Sequence, residues 1–253
     1  MLIFSIALKS PEISKDWDLV VKRCQRTLIS CSQQTTDNFR IILVCNKAPA
    51  IPDGVRNLKI IEEYFPAPKS KDEQRQDKYR KHQRALIELR DSGPFYWMKV
   101  DADDCVSERL ACFLRNQNIN QSWIINQGYI YKERSKFCYY EKKIFHERCG
   151  TSSIIWFSGN SNLPNSMDQS CEEIEYLSVP HTKLTTMLSK TSQVFGFLPY
   201  PGVIYCVGSN ENLSGFSGVE QFKSWKWRYL RAINTRFLGT KIKKAFNFEA
   251  YEI

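Results

Sequence analysis

The apolar positions change period several times along the chain, and each change marks an element. Leu2-Ile3-Phe4-Ser5-Ile6-Ala7-Leu8 is a continuous apolar run closed by Lys9-Ser10-Pro11, which predicts a short buried strand. Trp17, Val20, Val21, Cys24 and Leu28 then recur at intervals of three and four, the stripe of an amphipathic helix. Polar residues from Ser30 to Asn38 release the chain into a second apolar run, Phe39 to Cys45, closed by Asn46-Lys47-Ala48-Pro49. Leu58 to Ile61 predicts a third, shorter strand. Strand, helix and strand at this spacing imply parallel pairing through right-handed crossovers. Pro66-Ala67-Pro68 opens a mixed-charge stretch whose second half turns helical, with His82, Ala85, Leu86 and Leu89 on one side.

The rest of the chain is organised around Tyr96-Trp97-Met98-Lys99-Val100-Asp101-Ala102-Asp103-Asp104-Cys105-Val106. Its first part predicts a buried strand, and that strand runs into three carboxylates within four positions. Acids this close repel one another unless a positive group sits among them. A divalent cation on oxygen ligands is the simplest partner, and Mg²⁺ or Mn²⁺ suits one or two carboxylates plus substrate phosphates. The alternative is a solvated acidic turn capping a helix from Glu108 to Asn116. Further on, Trp123 to Tyr131 is apolar, Phe137 to Phe145 suggests a hairpin, and Ile154 to Phe157 and Leu198 to Val207 predict strands, so this half reads as mixed or antiparallel sheet. A polar loop, Gly208 to Gly215, follows.

At 253 residues the chain can bury a full core as one α/β domain, and nothing in it approaches a transmembrane span. Nine cysteines, an odd count without any Cys-x-x-Cys pair, predict reduced thiols and a cytoplasmic setting. The net charge of +9 changes the picture because of where it lies. Lys223, Lys226, Arg228, Arg231, Arg236, Lys241, Lys243 and Lys244 fall between Gln221 and Phe246 with no acid among them, and the remainder is almost neutral. Phe222, Trp225, Tyr229, Ile233 and Phe237 keep helical spacing through those bases. Residues 219–253 therefore read as a basic amphipathic helix or tail packed on, or extending from, a domain spanning 1–218. That helix either docks with its bases in water or meets an anionic membrane, which would place the protein peripherally on the inner face of the cell membrane. Nucleic acid is the less favoured partner, supported by charge and aromatics alone.

The strand–helix–strand start, the helix exit Thr27-Leu-Ile-Ser-Cys-Ser-Gln33-Gln34 and the Lys99-Val-Asp101-Ala-Asp103-Asp104 element together resemble family-2 glycosyltransferases of the GT-A fold, over roughly Met1 to Ser107. The resemblance implies a GT-A-like, Rossmann-like mixed sheet with parallel N-terminal strands flanked by helices, followed by the C-terminal basic amphipathic helix. It implies a metal-dependent transfer of a sugar from a nucleotide-diphosphate sugar to a glycan or lipid-linked acceptor, by inverting single displacement, in polysaccharide biosynthesis. On that resemblance Asp101 faces the ribose or sugar side, Asp103 ligates Mn²⁺ or Mg²⁺, and Asp104 is a ligand or supports one. His181, at a Pro-marked turn, is a further candidate ligand, against a structural role. Lys78, Arg80 and Arg84, one helix before the acidic strand, are candidates for the phosphates, against a solvated helix face. Glu173, Glu172 and then Asp168 are candidates for the catalytic base, and Asn210, Asn212 and Ser214 for acceptor or phosphate contact, against a polar turn.

Two departures stand out. Val44-Cys45-Asn46-Lys47 lacks the acids that hold the base or ribose in many family members, and the acid pair that usually supplies the catalytic base has no clean counterpart. A nucleotidyltransferase using a nucleoside triphosphate, or a non-enzymatic basic protein binding anionic membrane or nucleic acid, are the alternative readings. Phosphatases with an Asp-x-Asp nucleophile carry it after the first strand, unlike this cluster.

Overall fold

The computed structural model describes residues 1–117, 121–159, 163–168, 179–190, 194–208, 218 and 224–248. The three early apolar runs are strands β1 (Leu2–Ala7), β2 (Phe39–Cys45) and β3 (Leu58–Glu62). β1 pairs in parallel with β2, and β2 with β3. The acidic strand, β4 (Phe95–Asp101), pairs in parallel with the opposite edge of β1. The chain thus steps outward from β1 to β3 and then returns to β1's other side. The β1/β4 seam is a topological switch point, where ligands of open α/β sheets bind outside the carboxyl ends of the strands. Asp101 ends its strand there, opposite Ala7.

Helix α1 (Trp17–Ser32) covers one face of this sheet and α2 (Lys71–Ile87) the other. Leu2, Phe4 and Ile6 pack in one core with Val20, Cys24 and Leu28 of α1, whereas Ile3 and Trp97 join Ala85 and Leu86 of α2 in a second. A strand buried on both faces needs an unbroken apolar run, which is why β1 shows no alternation. The caps are local: Asp16 accepts the Leu19 N–H at 3.0 Å before α1, and Ser70 accepts the Glu73 N–H at 3.1 Å before α2. That cap, with Asp72 and Glu73 in the first turn, starts α2 earlier than the apolar pattern alone predicts.

Beyond β4 the sheet becomes mixed. β9 (Ser153–Phe157) runs antiparallel to β4 and to β6 (Gln121–Ile124), and β10 (Val194–Phe197) lies parallel to β6. Among the described residues the order is β10-β6-β9-β4-β1-β2-β3. A second sheet, ordered β12-β8-β7-β11-β5, combines β5 (Cys105–Val106), β7 (Gly128–Lys132), β8 (Phe137–Glu141), β11 (Val203–Val207) and β12 (Thr235–Phe237). The apolar stretch Trp123 to Tyr131 is therefore divided between the two sheets. Gly128 opens β7 where a Cβ would fall 2.6 Å from the Phe145 ring, so no larger residue fits without displacement. β7 and β8 form the expected hairpin pairing.

Among the described residues the helices after β4 are α3 (Leu110–Arg115), α4 (Leu184–Leu188), α5 (Trp225–Asn234) and α6 (Thr240–Phe246). The basic amphipathic helix is α5, shorter than its apolar spacing suggests. Phe237 continues the spacing but belongs to β12, because the open edge of β8 takes up Thr235–Phe237 as an antiparallel strand. The C-terminal segment also closes on the N-terminal half: Ser30 Oγ donates to the Phe246 carbonyl at 2.7 Å, and Arg26 lies over the Phe248 ring. The fold is the expected mixed α/β class, Rossmann-like in its parallel half and GT-A-like in the mixed half added at β4.

Candidate active site

β4 directs Phe95, Trp97, Lys99 and Asp101 to the α2 side of the sheet, since alternate residues share a face. There the Asp101 carboxylate forms an ion pair with Lys78 Nζ of α2. The Asp101 N–H donates to Thr151 Oγ1 at 2.9 Å. Burial pushes the Asp101 carboxyl up, but Lys78, Lys99 and His181 together hold it below its ordinary value. For Lys78, burial works against the ammonium and Asp101 more than offsets it, so its pKa is raised. For Lys99 the Asp101 charge offsets less: burial, with Lys78 beside it, lowers its pKa to about 8. Gly150 leaves room for this pair, since a Cβ there would stand 3.2 Å from Asp101 Oδ2 and 3.8 Å from Lys78 Nζ.

The next two acids diverge. Asp103 is partly exposed, and burial together with the Asp101 charge raises its carboxyl to about 6. Its backbone carbonyl accepts from Arg26 Nη2 at 3.0 Å, and Arg26 is fixed in turn by Glu133 at 2.9 Å. Asp104 is fully buried. Its Oδ1 accepts the Cys206 N–H of β11 at 3.0 Å, and its Oδ2 accepts Thr151 Oγ1 at 2.6 Å and the Cys149 thiol at 3.4 Å. Burial, then the Asp103 and Asp101 charges, raise its pKa well above the usual carboxylate range. Asp104 ties the acidic turn to β11 and to segment 149–151, and its oxygens are taken up in doing so. Thr151 is the shared joint, accepting from Asp101 and donating to Asp104.

His181 sits half-buried in a short 3-10 turn, with Nε2 3.2 Å from the Glu147 carbonyl. A carbonyl only accepts, so Nε2 carries the proton and Nδ1 the lone pair, the arrangement in which imidazoles serve as metal ligands. Burial lowers its pKa and the Asp101 charge raises it, so the ring lies within electrostatic reach of Asp101.

Arg80 is exposed on α2. Arg84 points to the end of β3, where it pairs with Glu63 at 2.5 Å and Glu88 at 3.8 Å. Only Lys78 of the three α2 cations meets the acidic turn in an ion pair among the described residues. Asp168 is exposed, its N–H donating to Ser166 Oγ at 3.3 Å. Glu172, Glu173, Asn210, Asn212 and Ser214 lie outside the described residues.

Sequence reasoning missed Thr151, Arg26, Glu133 and Cys206. For Arg26 a signal existed: with Arg23 it interrupts the buried flank of α1, and bases there need a partner. For Thr151 and Cys206 no local pattern announces a hydrogen bond to an acid some fifty or a hundred residues away.

Among the described residues no three His, Cys, Asp or Glu side chains form a ready-made metal cage. Asp101 and Asp103 nevertheless fit Mg²⁺ or Mn²⁺. Both are partly exposed oxygen donors, and their mutual repulsion, visible in the raised Asp103, is what a bound cation relieves. Asp104 does not fit as a direct ligand, being enclosed by its three donors.

No family model matches the chain, and no curated protein matches it. Among solved structures it is similar to the S. aureus TarS 1–349 crystal structure, at TM-score 0.44 and 9% identity over 81% of this chain and 60% of that one. A second S. aureus TarS structure gives TM-score 0.47 and 11% identity over 82% of this chain and 37% of that one. Bifunctional IspDF from Campylobacter jejuni gives TM-score 0.37 and 14% identity, covering 87% and 52%. The chain thus spans 60% and 37% of the two TarS chains it matches. The class of fold rests on the strand order and the switch point described above, not on these likenesses.

Proposed function

We propose that this protein is a metal-dependent glycosyltransferase that moves a sugar from a nucleotide-diphosphate sugar to a glycan or lipid-linked acceptor. One observation carries the reading: Asp101 and Asp103 present two reachable carboxylates at the carboxyl end of the central parallel strand, with Lys78 delivered to them from α2, at the switch point of an open α/β sheet. A nucleoside diphosphate needs its negative charge balanced in this geometry.

Asp101 and Asp103 would hold Mn²⁺ or Mg²⁺, with His181 Nδ1 as a further donor. Bound there, the ion would supply positive charge to balance the leaving diphosphate. Lys78 shares that task as a point charge, freed toward a phosphate oxygen when Asp101 turns to other partners. Thr151 and Asp104 keep the turn from moving as charge shifts. In single displacement the acceptor oxygen bonds to the anomeric carbon, the bond to the diphosphate breaks, and a carboxylate takes the hydroxyl proton. Asp168, Glu172 and Glu173 remain the candidates for that base.

The test is calorimetric titration with UDP, GDP, dTDP and CMP, each with Mn²⁺ and with EDTA, on wild type and Asp103→Asn. Binding of one nucleotide that needs metal and is lost in the variant is expected. Binding indifferent to both metal and Asp103, or no binding, overturns the reading. Tighter metal-dependent binding of a nucleoside triphosphate than of any diphosphate redirects it to nucleotidyl transfer.

A further inference from the structure

The outer face of α5 is apolar where a helix docked on a domain is ordinarily polar. Its inner face is accounted for: Trp227 packs near Tyr139, with Arg148 over its ring at 5.0 Å, and Asn234 is buried. At 3.6 residues per turn, Trp225, Tyr229 and Ile233 fall within about 80° of arc on the opposite side. They are 81%, 62% and 46% exposed. The surface continues into β12, where Phe237 (64% exposed) meets Phe137 of β8 (52%) edge to face at 5.9 Å. Lys226 and Arg228, both exposed, flank the stripe on either side rather than interrupting it.

Beside this stripe, a cavity of about 430 Å³ opens between α5 and the second sheet. Lys132, Arg228 and Arg231 bring three cations to its wall, and Ser135 adds a hydroxyl. Phe137 and Ala232 belong to both the cavity wall and the exposed surface, so the basic hollow and the apolar stripe are continuous.

We propose that this face docks on an anionic lipid bilayer, with Trp225, Tyr229, Ile233, Phe237 and Phe137 entering the interface and the flanking bases meeting headgroup phosphates. The charge is complementary: seven bases lie between Lys226 and Lys244 with no acid among them. An apolar centre rimmed by cations is the pattern of a helix lying in the interface plane. A nucleic-acid surface would put the cations at the centre of contact, against phosphate, with aromatics stacking between them. No helix among the described residues is long and apolar enough to cross a membrane, so the contact lies along the surface.

The experiment is co-sedimentation with vesicles of phosphatidylcholine alone and of phosphatidylcholine mixed equally with phosphatidylglycerol, at low and high salt. Wild type is expected to bind the anionic vesicles selectively and to release at high salt. Trp225→Ser combined with Ile233→Ser should abolish binding, and each neutralisation, Lys226→Gln or Arg228→Gln, should weaken it about fivefold. All four positions are solvent-facing or only partly covered, so an unchanged circular dichroism melt separates lost docking from lost fold. No binding, equal binding to both vesicle types, or unaltered binding by the double variant overturns the proposal. So does a wild-type dimer that the double variant converts to monomer, or full displacement from vesicles by single-stranded RNA. Failure here leaves nucleotide binding untouched, and failure of nucleotide binding leaves vesicle binding untouched, so the two readings fall separately.

Discussion

Three neighbouring acids meet three different fates at the end of one strand. Asp101 is paired with Lys78, Asp103 is partly exposed and electrostatically uncomfortable, and Asp104 is buried in hydrogen bonds. Asp103 is raised from 3.8 to about 6, so its folding contribution is fully present below about pH 4 and is lost as pH rises through 6. Asp103→Asn should therefore be more stable than wild type at pH 7.5 without metal, by about 1–2 kcal/mol, and indistinguishable from it near pH 3.5. Saturating Mn²⁺ should reverse the order at neutral pH. Asp104→Ala should instead cost about 2–3 kcal/mol at acidic pH, because it strands the Cys206 N–H and the Thr151 hydroxyl in the core, and the cost should shrink as pH rises through the raised Asp104 pKa. Thermal melts of both variants across pH, with and without metal, check the contrast. The sequence made the cluster conspicuous and could not rank its members, since exposure is decided by β11 and segment 149–151, far along the chain.

At the scale of elements, the site depends on how α2 is held against the end of β1. Lys81 is almost wholly buried, with Nζ donating to the Leu8 carbonyl at 2.9 Å and to Asp77 at 2.8 Å, and with the Phe65 ring 5.3 Å away. This contact fixes the turn of helix that carries Lys78. Lys81→Met keeps the volume but leaves Asp77 without its partner, and should cost about 2–3 kcal/mol. Nucleotide affinity should fall several-fold while the metal requirement persists, a split that calorimetry on the variant reads directly. The first parallel strands and α1 were legible from period alone because strands buried on both faces and one-sided helices write different patterns. α2 was half legible: its charged first turns carry almost no apolar signal and are specified by the Ser70 cap. β5 and β12 were invisible, being short pairings that exist only because a neighbouring edge was open. Among the α2 cations, only geometry separates Lys78, at the site, from Arg84, turned toward Glu63.

At the scale of the whole molecule, α1 and the segment from α6 to Phe248 meet beside the acidic turn. Arg26 supports the Asp103 carbonyl, and Phe248 meets Tyr131 edge to face and lies beneath the same guanidinium. Phe246 is buried and its carbonyl receives the Ser30 hydroxyl. Deleting residues from Thr240 onward should leave secondary structure largely intact by circular dichroism, yet lower the melting temperature and abolish metal-dependent nucleotide binding. Retention of that binding by the truncated chain would show that Arg26 holds the turn unaided.

This closure has a consequence for synthesis. β1, β2 and α1 are made before several of their partners and can begin to associate, but β1 gains its second neighbour only once β4 has been made through Asp101, and α1 gains Phe246 and Phe248 only after α6. The early segments must wait with apolar edges uncovered, the interval in which nascent chains are most prone to mispair or to engage chaperones. A product stalled before α6 would thus contain the aspartates without the frame that arranges them, so sites become competent only on chains that have been made through α6 and Phe248.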